Sequence, residues 1–212
     1  MLPNEVQRFL SLINESCKAV TSQSFNTMRA GCRELLATLR EVVRVNKPKV
    51  LDLVETHVGG MQAMRIATMV GYDGSMRLEA EGFRGGIWVY WKKDLVTIAP
   101  IQRSEQHITM EITRVGETPW YFSAIYASPD SDQMARIMEN FERVLYLTQL
   151  TLVISCCPET TRSSNRFNDW INDMKLLEVK FSRSPHTWAR GHSIKIRGSA
   201  RLDRAFVMVN GE

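Results

Sequence analysis

Between Ser75 and Tyr126 the chain returns again and again to one pattern: a short run of Val, Ile, Trp, Tyr and Thr, then a break at Gly, Pro, Asp or a charged cluster. The runs are MRLEAEG, GGIWVYW, LVTIA, HITMEIT and WYFSAIYA. A period of two puts alternate side chains on opposite faces of a strand, so the stretch predicts a meandering antiparallel sheet. A sheet of this kind has an apolar face that must be covered by another layer.

The covering layer is visible on either side. Gly31 to Val45 predicts a helix, with Leu35, Leu36, Leu39, Val42 and Val43 on one face and Arg33, Glu34, Arg40 and Glu41 away from it. Lys47-Pro48 ends it, because the residue before a proline is pushed out of the helical region. KVLDLVETH (49–57) then reads as a buried strand. MQAMRIATMVG (61–71) reads as a second helix whose Met61, Met64, Ile66 and Met69 pack in the core. Ser131 to Leu147 returns to helical spacing through Met134, Ile137, Met138, Phe141, Val144 and Leu145. A strand at 151–155, a helix at 166–177, a loop at 182–191 and a strand at 201–209 complete the order. The result is an α+β chain with helices outside a sheet or sandwich.

The length of 212 residues suits one domain, and 44% hydrophobic residues suffice for a large core. No run of eighteen apolar residues exists, which argues against a membrane-spanning helix. At the N-terminus Glu5, Arg8, Asn14 and Glu15 interrupt any signal-peptide core. Val6, Phe9, Leu10, Ile13 and Cys17 fall instead at helical spacing, so residues 1–23 read as an amphipathic extension before a domain at 24–212. The expectation is an intracellular protein, nuclear or cytoplasmic, with no membrane association and unknown protein partners. The net charge is +4; from Arg162 onward ten Lys/Arg stand against five Asp/Glu, so the excess lies in the last quarter. Such a segment suits a phosphate-bearing partner or an ordinary solvated surface.

Cys17 and Cys32 stand alone, and Cys156-Cys157 are adjacent, with no C-x-x-C spacing anywhere. This pattern argues against zinc and against a redox pair. Yet TLVISCCPET (151–160) ends an apolar strand in reactive groups, a common way to build a site.

Five segments occur together in order: KPKVLDLVETHVGG, GFRGGIWVYWKKD, WYFSAIYASP, RFNDWINDMKLLEVKFSRSPHTWARG and RLDRAF. The set resembles the endonuclease/exonuclease/phosphatase superfamily. More closely, it resembles the apurinic-type endonuclease domain that precedes reverse transcriptase in plant LINE-type retrotransposons. The resemblance runs from about Ser24 to Phe206. It implies a DNase I-like two-layer β-sandwich flanked by helices, a DNA partner, and phosphodiester hydrolysis assisted by Mg²⁺ or Mn²⁺ where a site survives. A hard divalent cation takes oxygen ligands from carboxylates and stabilises charge at the scissile phosphate.

Carried over by motif, Glu55 in LVETH falls on the metal-binding glutamate and Asn26 in SFNTMRAG on the family's early asparagine. Tyr126 in AIYASP matches the phosphate-contacting tyrosine, and Asp203 in RLDRAF the aspartate that supports a catalytic histidine. His186 and Trp188 in PHTWARG match a segment near the DNA face, which makes Trp188 and the nearby Arg190 candidate substrate-binding residues; half-buried packing of the indole is the competing explanation. His57, two residues after Glu55, receives no metal role.

Against this pattern the family's GDFN strand end is changed. The general-base Asp position is Cys156 and the neighbouring Asn position is Pro158. A thiol with a pKa near roughly 8.5 does not present a carboxylate's charge at neutral pH. No His lies beyond His192, so the family's Ser-Asp-His ending is missing and the fold is expected to be incomplete at the C-terminus. The implied reading is an endonuclease-like domain with impaired catalysis, leaving enzyme activity open. The alternative is a non-catalytic nucleic-acid-binding or interaction module on the same scaffold.

Overall fold

The computed structural model describes residues 32–54, 56, 61–80, 86–126, 131–147, 150–156, 161–178, 188–190, 198–200 and 203–209. They belong to two compact units, residues 1–99 with 112–119 and residues 100–111 with 120–212.

The first unit contains α1 (Cys32–Asn46), β1 (Val50–Val54), α2 (Met61–Met69), β2 (Gly74–Leu78) and β3 (Ile87–Trp91). The strands form an antiparallel sheet in the order β1-β3-β2, with Val50 opposite Trp91 and Gly74 opposite the same Trp91. As the central strand, β3 is buried along its whole length, which explains why IWVYW is continuously apolar. Leu51, Leu53, Trp88 and Tyr90 pack with Leu39 of α1 and with Ala63, Ile66, Ala67, Val70 and Tyr72. Each fully buried large side chain there contributes about 1.5–3 kcal/mol. The two buried phenols are satisfied: Tyr90 donates to the Ala63 carbonyl at 2.8 Å and Tyr72 to the Pro48 carbonyl at 2.9 Å.

The methionine face expected for α2 is turned to solvent. Met61, Met64 and Met69 are 67%, 48% and 51% exposed, whereas Ala63, Ile66, Ala67 and Val70 are buried. Residues 63, 66, 67 and 70 have their own i, i+3, i+4, i+7 spacing. Two alanines on that stripe let the helix lie close to the sheet. The helix closes at Gly71, whose φ of 85° suits glycine, while the Tyr72 amide donates back to the Ala67 carbonyl at 3.0 Å.

In chain order there follow β4 (Thr97–Arg103), β5 (His107–Thr113), β6 (Trp120–Tyr126), α3 (Ser131–Leu147), β7 (Leu150–Cys156), α4 (Thr161–Asp173), β8 (Leu177–Glu178), β9 (Trp188–Arg190), β10 (Gly198–Ala200) and β11 (Asp203–Val209). Six of these strands make a sheet in the order β4-β5-β6-β7-β11-β8. Pro100 sits in β4, at the edge of the sheet, the place where a strand tolerates proline. β6 and β7 run parallel. Parallel neighbours need a crossover, and α3 supplies it.

The core of the second unit joins Ile125 of β6, Phe206 of β11, Met134, Ile137 and Phe141 of α3, and Phe167, Trp170 and Ile171 of α4, with Leu176. Met138 is partly buried against it, so the predicted face of α3 holds as far as Phe141. The rings of Phe167 and Trp170 stack 5.8 Å apart, and Phe141 meets Trp170 edge-on at 5.7 Å. Trp170 Nε1 donates to Glu142 Oε1 at 3.2 Å.

Several boundaries differ from the sequence expectation; β4, for one, begins at Thr97 rather than at Leu95. The helix placed at 166–177 runs instead from Thr161 to Asp173. Lys175 takes a left-handed φ of 53° and the Leu176 amide donates to the Ile171 carbonyl at 3.0 Å, a cap that ends the helix before Leu177. The expected loop at 182–191 includes β9, which pairs antiparallel with β10.

Candidate functional site

Three sequence-derived positions come together at one end of the six-stranded sheet. Tyr126, the last residue of β6, stands opposite Cys156, the last residue of β7. Cys156 in turn stands opposite Asp203, the first residue of β11. Because β6 and β7 run parallel and β11 runs against them, two strand ends and one strand beginning fall in a single row. With strands about 4.8 Å apart, the row spans roughly 10 Å from Tyr126 to Asp203. A tyrosine and an aspartate position thus flank a cysteine position.

The Tyr126 end of the row is set by a turn that the sequence reading did not single out. The Tyr126 amide donates to the Gln106 carbonyl at 2.8 Å. Gln106 lies in the turn between β4 and β5, where the Ser104 amide donates to the His107 carbonyl at 2.9 Å. Ser104 Oγ also lies 2.6 Å from His107 Nδ1 and accepts from the Gln106 amide at 3.2 Å. His107 is completely buried, and burial lowers its pKa, which favours the neutral ring. Further along the same ladder, Thr109 and Ser123 hydroxyls bond at 2.8 Å. The only sequence signal for this clasp is a histidine at the first position of HITMEIT, and a lone histidine on a strand says little.

Asn26, Glu55 and Pro158 lie outside the described residues, as do His57 and His186. Trp188 and Arg190 lie on β9, opposite Ala200 and Gly198, in a two-stranded sheet separate from the row.

A second carboxylate emerges that the sequence reading passed over. Asp52 is in the middle of β1, opposite Val89, and is 4% exposed. Its Oδ2 has no hydrogen-bond partner, and burial raises its pKa to about 7. This is not a cation site: a hard divalent ion needs several oxygens, and Asp52 stands among Val50, Leu51, Leu53 and Val54. Among the described residues no group of three His, Cys, Asp or Glu side chains could hold a metal ion. Nor is any helix among them long and apolar enough to cross a membrane.

No family model matches the chain, and no curated protein does either. Solved structures do match. The endonuclease domain of TRAS1, a telomere-specific non-LTR retrotransposon, superposes with a TM-score of 0.59 at 10% identity, over 81% of this chain and 78% of that one. D. rerio TDP2, complexed with a single-strand DNA product, gives 0.59 at 12% identity, over 87% and 80% of the two chains. An endonuclease/exonuclease/phosphatase family protein from Leptotrichia buccalis gives 0.61 at 12% identity, over 88% and 84%. At such identities the likeness is one of architecture: the chain has the DNase I-like fold of the endonuclease/exonuclease/phosphatase proteins.

Proposed function

We propose that this chain, as a domain over residues 24–212, recognises phosphodiesters in DNA, derives from a Mg²⁺-dependent retrotransposon endonuclease, and is impaired in hydrolysis. The observation that carries the reading is the row Tyr126–Cys156–Asp203. In this row a tyrosine and an aspartate position flank a cysteine at the place where the family motif has its general base. A thiol with a pKa near roughly 8.5 is mostly protonated at pH 7 and accepts protons poorly there. Losing a positioned base costs on the order of 10²–10⁴ in rate.

Tyr126 remains the residue we assign to the phosphate, with Asp203 as a vestigial acidic partner. Asn26, Trp188 and Arg190 are assigned to the DNA side, and Glu55 is left as a single candidate ligand for Mg²⁺ or Mn²⁺. DNA as the polymer is supported by the fold shared with a retrotransposon endonuclease domain and with a protein crystallised on single-strand DNA.

The test uses purified protein with supercoiled plasmid and Mg²⁺, beside Glu55→Ala and Tyr126→Phe, scored for nicking and for DNA retention. The expected result is no nicking, with retention that falls as salt rises and weakens in Tyr126→Phe. Nicking by the native chain that Glu55→Ala abolishes contradicts the impairment. Retention indifferent to Tyr126→Phe favours instead an interaction module that binds elsewhere on the scaffold. Absence of retention removes the DNA reading altogether.

A further inference from the structure

The entry to β1 and the exit from β3 carry four lysines on neighbouring strand ends: Lys47 and Lys49 on one, Lys92 and Lys93 on the other. Val50 pairs with Trp91, and one step further the Lys92 amide donates to the Lys49 carbonyl at 3.1 Å. Lys49 and Lys92 are therefore cross-strand neighbours, an arrangement in which like charges repel. Their backbone is held firmly. The Lys47 amide caps α1 through the Val43 carbonyl at 2.9 Å, Tyr72 donates to the Pro48 carbonyl at 2.9 Å, and the Lys93 amide donates to Asp73 Oδ1 at 2.9 Å.

Little acidic charge answers them. The ion pairs among the described residues are Arg44–Glu41, Arg77–Glu79 and Arg114–Glu117, and none includes these lysines. The Lys93 amide and, to a smaller degree, the Lys93 ammonium hold the Asp73 carboxyl below the usual range, and Asp94 follows in the turn. Four lysines against these two aspartates leave an excess of two positive charges. Lys47 and Lys93 are exposed and Lys49 and Lys92 partly buried; lysines so placed commonly rest their stems on protein and keep the ammonium in water. The cluster is at the opposite end of β1 from Val54, about 17 Å away at 3.3 Å per residue.

We propose that Lys47, Lys49, Lys92 and Lys93 form a second contact surface for the phosphate backbone of duplex DNA, independent of the strand-end row. The chemistry favours a polymer of phosphates over a single bound anion. Among the described residues the donors there are separate lysine point charges on flexible stems, fixed at their roots. Such contacts follow a backbone without reading bases. An anion lying across Lys49 and Lys92 also relieves their repulsion.

The experiment is a salt titration of mixed-sequence duplex binding to the whole chain, by fluorescence anisotropy. Each phosphate contact contributes about 0.9 to the slope of log affinity against log salt. Lys49→Gln/Lys92→Gln is expected to flatten the slope by about 1.8 on that scale, equally for unrelated duplex sequences. Its melting temperature is expected to hold or rise, since a repulsive pair is removed. Asp94→Lys, which disturbs no buried group, is expected to steepen the slope by about 0.9. Unchanged slopes in both variants overturn the proposal. So does displacement of duplex by polyglutamate as readily as by competitor duplex of equal charge, which marks an acidic protein as the partner. Tyr126→Phe separates the two surfaces: an effect there with none in the lysine variants supports the strand-end row and sinks this inference.

Discussion

A carboxylate without a counter-charge inside a strand of Val and Leu is the least expected residue in the molecule. No charged group among the described residues acts on Asp52; burial alone raises its pKa to about 7 from 3.8, against a smaller opposing effect of a backbone hydrogen bond. The folded state therefore holds this proton more tightly than the unfolded chain does. The associated stability is fully present below pH 3.8, drains away as pH rises toward 7, and is gone above it. Three units correspond to roughly 4 kcal/mol in order of magnitude. Asp52→Asn should thus gain stability over the native chain at pH 8 and lose most of that gain near pH 5, read from chemical denaturation at each pH. His107 acts with the opposite sign, since its lowered pKa makes folding weaken as pH falls below 6.5.

Gly74 supplies a second residue-scale test. A Cβ added there would lie 2.3–2.5 Å from the indole atoms of Trp91, its cross-strand partner. The indole has no flexible end to move, so Gly74→Ala should cost about 1–3 kcal/mol, the usual penalty for overpacking. An unchanged melting temperature would mean that Trp91 does not cover this glycine.

Among elements, the packing of α3 and α4 on β6 and β11 determines whether the candidate row is held in place. Phe206 is fully buried in that core, edge-on to Phe167 at 6.2 Å, and three residues beyond Asp203 on the same strand. Phe206→Ala should cost about 3–5 kcal/mol and weaken DNA retention as well, because the cavity loosens β11. Strong periodicity made these elements legible: Met134, Ile137 and Phe141 are spaced as a helix face, and ITMEIT and WYFSAIY alternate or run apolar as strands do. The ambiguous cases failed for physical reasons. In MQAMRIATM two faces compete, and the sheet chose the one with alanines because it permits closer approach. In RFNDWINDMKLL the spacing continues past Asp173, but a left-handed lysine ended the helix, a choice that no side-chain pattern announces. Trp188–Arg190 is too short a strand to have a period at all.

At the scale of the molecule, the fold is shared with solved structures at only 10–12% identity. Apolar pattern and crossover connections maintain architecture, whereas chemistry depends on a few side chains at the ends of strands. This explains why the sequence could nominate Tyr126, Cys156 and Asp203 by motif, while only the register shows that they share a row. Asp52 and the Ser104–His107 clasp escaped notice because isolated polar residues in apolar runs carry no spacing signal.

The row itself is open to direct chemical test. Register-paired residues on antiparallel strands have Cα atoms about 4.5–5.5 Å apart, within reach of a disulfide. In Asp203→Cys under mild oxidation, peptide mapping should find one new bridge, between Cys156 and the thiol introduced at position 203. A bridge to Cys157 instead would mean a one-residue slip that turns every side chain of the strand over. Either that slip or no bridge at all would contradict the Tyr126–Cys156–Asp203 row on which the functional reading stands.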